Sequence, residues 1–191
     1  MAVSRRMGPT DSASSNALLD ATERVLREEG YAAATSRRIA QEAGLKQQLV
    51  YYYFKTMDDL LLATFKRRTG IALERLEADL ASPRPVRAIW EYVTSSGDAR
   101  LSFEFMALAN RHDGIREEVA RYVTLSRRMQ AQAIARRYAE AGNVDAPVTP
   151  AAAAFLMSCV SLMLGREAAT GIDEGHADVI ALIESAITRI D

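Results

Sequence analysis

Residues 35 to 56 read TSRRIAQEAGLKQQLVYYYFKT, and they gather the groups in this chain best suited to meet nucleic acid. Arg37, Arg38, Lys46 and Lys55 stand against Glu42 alone; four cations and one carboxylate leave a local charge of +3. The whole chain holds three lysines, and two fall in this window. Its formal net charge is -1, so only local charge points to a polyanionic partner. Cations near a turn and at helix ends can meet phosphates, which position a protein without reading sequence. Gln47, Gln48 and Tyr52 are the groups a short helix here would offer to base edges, and glutamine can contact adenine through two hydrogen bonds. A surface-charged helical hairpin has the same composition and spacing, so the residues alone leave both readings open.

The elements around this window all read as helices. Leu18, Leu19, Thr22, Val25 and Leu26 recur at helical spacing from Ser14 onward, and Gly30 stops that helix. Thr35 can cap a helix over residues 36 to 43, Gly44 supplies a turn, and a third short helix covers residues 47 to 54. In that helix Val50 and Phe54, four apart, face the core. Thr56, with Asp59 three residues on, caps a long helix from Met57 to about Ala81, which Pro83 and Pro85 stop. Further helices are expected around Val86 to Val93, Leu101 to Asn110, Ile115 to about Gly142, Pro150 onward behind the cap Thr149, and Gly175 to Ile190, with a loop over Asn143 to Pro147. No alternating β-branched segment or hairpin dipeptide occurs. The fold class is all-α: an N-terminal helix-turn-helix domain followed by a helical-bundle domain. The expected boundaries are a flexible arm over residues 1–13, the helix-turn-helix domain over 14–60 and the helical domain over 61–191.

Residues 16 to 62 resemble the signature of the tetracycline-repressor (TetR) family of regulators. The resemblance rests on Gly30, Tyr31, Thr35, Ile39, Ala40, Ala43, Gly44, Leu45, Val50, Tyr51, Tyr53, Phe54, Thr56, Asp59, Leu60 and Leu61, in the order and spacing of that pattern. It implies a DNA-binding three-helix domain, a variable helical domain that binds a small-molecule effector, and a homodimer formed by the last two long helices on a double-stranded operator. It also implies that DNA is met by Thr35, Arg37, Lys46, Gln47, Gln48, Leu49, Tyr51, Tyr52 and Lys55. Four positions depart from family habit: Lys46 where Ser or Thr is common, Gln48 for Gly, Leu49 for Thr, and Met57 for a Lys that contacts phosphate. These departures leave the operator sequence open. The family's habit favours a repressor, with a ligand-dependent activator as the alternative.

The remaining composition fits a soluble globular protein, with 49% hydrophobic and 26% charged residues. A single cysteine, Cys159, reads as a small core residue and excludes an internal disulfide framework, which suits the cytoplasm. No secretory pattern opens the chain, and the apolar run from Ala151 to Leu164 reads as a buried helix and not a membrane span. His112 and His176 lie far apart, and no metal cluster, phosphate loop, H-E-x-x-H or G-x-S-x-G occurs, so neither a cofactor, a metal nor an enzyme activity is expected. An enzyme using carboxylates such as Glu104, or a helical protein-protein adaptor, are the rival classes.

Trp90, Phe103, Phe105, Met106, Tyr122, Met129 and Phe155 are candidates to line an apolar ligand pocket, with Glu104, Asn110, Arg121 and Arg166 as polar neighbours. The helix after Pro150 is apolar nearly all round, so it should be covered on more than one side. Phe155, Cys159, Val160 and Met163 there, with Val179, Ile183 and Ile187 on the last helix, are the candidate dimer contacts.

Overall fold

A computed structural model of the protein describes residues 12–95, 99–142 and 148–191. Among these residues run nine α-helices, one short 3-10 turn (Tyr31–Ala33) and no strand. The helices are α1 (Ala13–Glu28), α2 (Ser36–Glu42), α3 (Gln48–Tyr53), α4 (Met57–Leu80), α5 (Pro85–Ser95), α6 (Ala99–Ala109), α7 (Asp113–Glu140), α8 (Pro150–Ala168) and α9 (His176–Thr188). The expected arm, apart from its last two residues, and the expected loop at residues 143–147 lie outside the described residues.

Local signals set the helix ends. Gly30 follows α1 at φ 81°, a left-handed conformation that a residue with a Cβ enters at a cost. Thr35 accepts a hydrogen bond from the Arg38 amide at 3.2 Å and starts α2. Thr56 and Asp59 form a reciprocal box at α4: the Asp59 amide donates to Thr56 Oγ1 at 3.0 Å, and the Thr56 amide to Asp59 Oδ2 at 3.1 Å. Thr149 caps α8 through the Ala152 amide at 3.2 Å.

The chain divides into two compact units, one of Met1–Thr69 with Leu101–Val119, the other of Gly70–Arg100 with Ala120–Asp191. The first unit therefore holds residues 14–60 together with a segment from much later in the chain. Its core joins Leu18, Val25 and Leu26 of α1, Ile39 of α2, Val50 of α3 and Leu60, Leu61 and Phe65 of α4 to Leu101, Phe105, Leu108 and Ile115. Phe105 is the anchor of the late segment. It is 1% exposed, with its ring 4.4 Å from that of Phe65. A buried polar contact adds direction to this packing, since Thr69 Oγ1 donates to Glu118 Oε1 at 2.7 Å.

The second unit has its own core of Val86, Ile89 and Trp90 from α5, Ala133, Ile134 and Tyr138 from α7, Ala154 and Met157 from α8, and Ile187 from α9. Helices α5 and α8 approach closely: Ser161 Oγ donates to the Val93 carbonyl at 2.5 Å. Nearby, a Cβ on Gly165 would come within 2.9 Å of the Ala99 Cβ. Tyr92 donates its hydroxyl to the Ala72 carbonyl at 3.0 Å.

Asp191 ties the segment beyond α9 into this unit. Its carboxylate accepts from the Val86 amide at 3.4 Å and the Arg87 amide at 2.6 Å, satisfying free donors in the first turn of α5. Arg137 lies 3.3 Å from the same carboxylate and also donates to the Ile190 carbonyl at 3.2 Å. Neighbouring carboxylates, Glu140 foremost, hold the Arg137 guanidinium above its ordinary pKa. Asp191→Ala is expected to destabilise the second unit by about 1–2 kcal/mol, the usual scale for losing a side-chain cap. Urea unfolding read by helical circular dichroism checks this, with Asp191→Asn expected to fall between the variant and the parent.

Two sequence expectations change here. Helix α8 is not sealed within the subunit: Phe155, Leu156 and Met163 are 47%, 51% and 48% exposed, and only Ala154 and Met157 along it are buried. By length and composition alone α8 could cross a membrane. Ile187, expected to face a partner, is 2% exposed in its own subunit's core, with Ile183 and Val160 packed against that core. On helices apolar over most of their circumference, periodicity does not choose the inward face.

Candidate nucleic-acid interface

Helix α2, the turn at Gly44 and helix α3 form the helix-turn-helix. Gly44 takes φ 66°, and the following Leu45 amide donates back to the Ala40 carbonyl at 2.9 Å, so the chain reverses within a few residues. Helix α3 is short, and its orientation comes from burial. Val50, Tyr53 and Phe54 are 0%, 9% and 4% exposed and sit in the first core. The other face is open. Lys46, Gln47, Gln48 and Lys55 are exposed, and Tyr51 and Tyr52 are 44% and 46% exposed. The Tyr52 ring meets that of the buried Tyr53 edge-on at 4.9 Å, which restrains it from below.

The cations of the window divide into two groups. Arg38 is committed to structure: it pairs with Glu29 at 2.5 Å and with Glu42 at 3.0 Å. Glu42 also receives Arg24 of α1 at 3.0 Å, so two arginines and two carboxylates bind α2 to α1 and its C-terminal end. Hydrogen bonds from Arg24 and then Arg38 hold the Glu42 carboxyl below its ordinary pKa, while those to Glu29 and then Glu42 raise that of Arg38. Arg37, Lys46 and Lys55 are exposed and make no ion pair among the described residues. They flank α2 and both ends of α3, where phosphate backbones can be met.

Thr35 is exposed and serves as the α2 cap. Leu49 is half-buried against the first core. Gln47 and Tyr51 share one further partner that sequence reasoning missed, Ser36. Gln47 Nε2 donates to Ser36 Oγ at 2.9 Å, and the Tyr51 hydroxyl to the same oxygen at 3.0 Å. Ser36 falls at a position that the family pattern leaves open, so no signal in the sequence marked it.

The ligand candidates are not brought together within one unit. Phe103 and Met106 belong to the first, with Met106 47% exposed. Trp90, Tyr122, Met129 and Phe155 belong to the second. Trp90 is buried in the core, and the Tyr122 hydroxyl lies 3.0 Å from that of Tyr92. Phe155 carries the Arg127 guanidinium 4.8 Å above its ring. Glu104 accepts from the Tyr31 amide at 3.2 Å beside Gly30, so its carboxylate is engaged by backbone in the first unit. Arg75, Asp79, Arg84, Arg87 and Glu91 line an open cleft of about 440 Å³ between α4 and α5, which contains none of the apolar candidates. Of the two histidines, His112 lies 3.2 Å from Asp58 and His176 lies 2.8 Å from Glu167. No group of three or more metal-ligating side chains occurs among the described residues.

A buried-backed helix with polar groups outward, set by a tight turn on a second short helix, defines a DNA-binding helix-turn-helix domain. Residues 18–64 match the family model of the bacterial regulatory proteins of the tetR family. That match makes the N-terminal segment of this chain similar to the DNA-binding domain of the tetR regulators. The fatty acid metabolism regulator protein of Bacillus subtilis (strain 168) is 36% identical over 63 residues, 33% of this chain and 32% of that protein. The matched segment thus spans about a third of the length of that curated relative. A TetR transcription regulator from Haloarcula marismortui ATCC 43049 superposes with a TM-score of 0.74 at 20% identity, covering 93% of this chain and 96% of that one. The transcriptional regulator FadR from Bacillus subtilis, solved in complex with stearoyl-CoA, gives a TM-score of 0.62 at 18% identity, covering 92% and 97%. Both structural likenesses are likenesses of fold.

Proposed function

We propose that the protein is a repressor that holds a palindromic DNA operator as a homodimer and releases it when a small, largely apolar ligand binds the second unit. The observation that carries the DNA half is helix α3, with Val50, Tyr53 and Phe54 fixed in the core and Gln47, Gln48, Tyr51 and Tyr52 turned out between cations that make no ion pair among the described residues. Gln47, Gln48 and Tyr52 read base edges, while Arg37, Lys46 and Lys55 meet phosphates. Thr35, Leu49 and Tyr51 complete the contact set.

The sensing half draws support from α7. Gln130 is 3% exposed, and its Oε1 is sealed without a hydrogen-bond partner among the described residues; the Nε of Arg127, one turn away, is in the same condition. A ligand with an apolar body and a polar head would satisfy such groups, because buried polar atoms are rarely left unpaired. FadR of Bacillus subtilis holds stearoyl-CoA, a ligand of that general character. Release follows if the ligand prefers a state that fits the operator less well, and by linkage the operator must then weaken the ligand by the same factor.

Selection of bound fragments from random DNA tests the reading. The expected result is an inverted repeat with half-site centres about 10 bp apart, or a multiple, because two recognition helices must enter successive major grooves. Enrichment of no sequence would overturn it. The operator so found then serves to screen hydrophobic acids, aromatics and lipid-like compounds for release.

A further inference from the structure

Ser36 is the first residue of α2 and is 7% exposed, although it is polar and stands next to the exposed cap Thr35. Its hydroxyl oxygen accepts two hydrogen bonds from the α3 segment, one from Gln47 Nε2 at 2.9 Å and one from the Tyr51 hydroxyl at 3.0 Å. Gln47 and Tyr51 are four residues apart, so they share one side of that helix. Both are exposed elsewhere along their length. A buried oxygen thus gathers two long surface side chains that would otherwise sample several rotamers.

We propose that Ser36 is a positioning residue for base reading, whose buried hydroxyl fixes Gln47 and Tyr51 as one pre-set pair on the outer face of α3. This rests on the DNA-binding reading above and adds to it the way specificity is built. The stoichiometry of donors defines what the pair can present. A serine oxygen has two lone pairs, and both are taken. Tyr51 has one hydroxyl proton, and it is committed to Ser36. Toward DNA its oxygen is therefore an acceptor, which the amino groups of adenine or cytosine can use and a phosphate oxygen cannot. The Gln47 amide has two N–H groups; one is committed, which leaves one N–H and the carbonyl oxygen for a base edge. In this arrangement Tyr51 contributes to sequence choice and not to uniform phosphate affinity.

The test uses the full-length protein and the operator recovered by selection, and it reads the ratio of operator to random-duplex affinity. Ser36→Ala is expected to lower that ratio by about tenfold, within the range for one well-made base contact. The slope of log affinity on log salt stays unchanged, because every phosphate contact is kept. Tyr51→Phe, at an exposed position, tests the same bond from its other end and lowers the ratio in the same direction even if Ser36→Ala fails to fold. In the double variant the losses should not add, since each removes the same arrangement. Reselection with Ser36→Ala should relax preference at one or two positions per half-site. Additive losses, or an equal loss on every sequence, would overturn the proposal, the latter leaving Ser36 a merely structural residue. A parent protein that selects no sequence at all would instead remove the DNA-binding reading on which the proposal stands.

Discussion

Leu182→Asp is expected to give a folded monomer that has lost its operator. Of the eleven large hydrophobic side chains exposed among the described residues, six fall between residues 155 and 182: Phe155, Leu156, Met163, Ile172, Ile180 and Leu182. Such concentration around two helices marks a surface that another protein covers. In the proposed homodimer a second copy of the chain is the occupant, since it brings the same patch and needs no other partner. Leu182 is 66% exposed, the most exposed of the six. A carboxylate there disturbs its own subunit little, since surface substitutions usually fall within about 0.5 kcal/mol. In the dimer the same carboxylate is buried without a counter-charge, which is strongly unfavourable. Met163→Asp on α8 should act alike. Removing the second half-site from reach should weaken operator binding by on the order of a hundredfold or more. Sedimentation at micromolar concentration, with circular dichroism to confirm retained helix, reads the result. A variant that remains dimeric would refute the placement of the interface. A monomer that still binds the operator as tightly as the parent would refute the need for it.

Exposure, and not helical periodicity, marks Leu182 as an outward residue. Phe155, Cys159 and Met163, spaced by four, form a stripe that is exposed at both ends and half-buried at Cys159, and the sequence pointed to it. On α9 the pattern was ambiguous. Val179, Ile180, Leu182, Ile183 and Ile187 cover most of the circumference, and the Ile183 and Ile187 side is the one turned to the subunit's own core, with Ile180 and Leu182 outside. Signals that act within one turn were legible: Thr35, Thr56 with Asp59, Thr149, Gly30 and Gly44 all stand where their chemistry places helix ends. Contacts between distant segments were not. Phe105 looked like a pocket residue because nothing local shows that it stacks on Phe65, forty positions earlier. Glu104 looked like a ligand or catalytic group for the same reason, yet its partner is the Tyr31 amide. The candidate reading face was legible because an amphipathic six-residue helix has few ways to bury Val50 and Phe54. The division of Arg37 from Arg38 was not, since only the positions of Glu29 and Glu42 decide which arginine is spent on structure.

That division gives the other large effect. Lys46→Ala with Lys55→Ala is expected to weaken binding on every DNA sequence, operator and random alike, and to flatten the salt dependence by about two units of slope, roughly one for each phosphate no longer neutralised. At physiological salt the pair should cost on the order of tenfold or more in affinity, because each released counterion contributes less as bulk salt rises. Lys46 stands just before α3 and Lys55 just after it, both exposed and without ion pairs among the described residues, so their removal leaves the first core untouched. Thermal unfolding of the double variant should match that of the parent. Arg38→Ala should behave in the opposite sense. It removes the cation shared by Glu29 and Glu42, so it lowers stability without being a phosphate contact. The two variants together separate charge that meets DNA from charge that holds the helices, although both lie in one basic window. Titration of labelled duplex over a range of roughly 50 to 300 mM potassium chloride, which brackets physiological ionic strength, supplies the slopes. An unchanged slope and affinity in the lysine double variant would remove Lys46 and Lys55 from the interface, and with them the case that this window lies against a phosphate backbone.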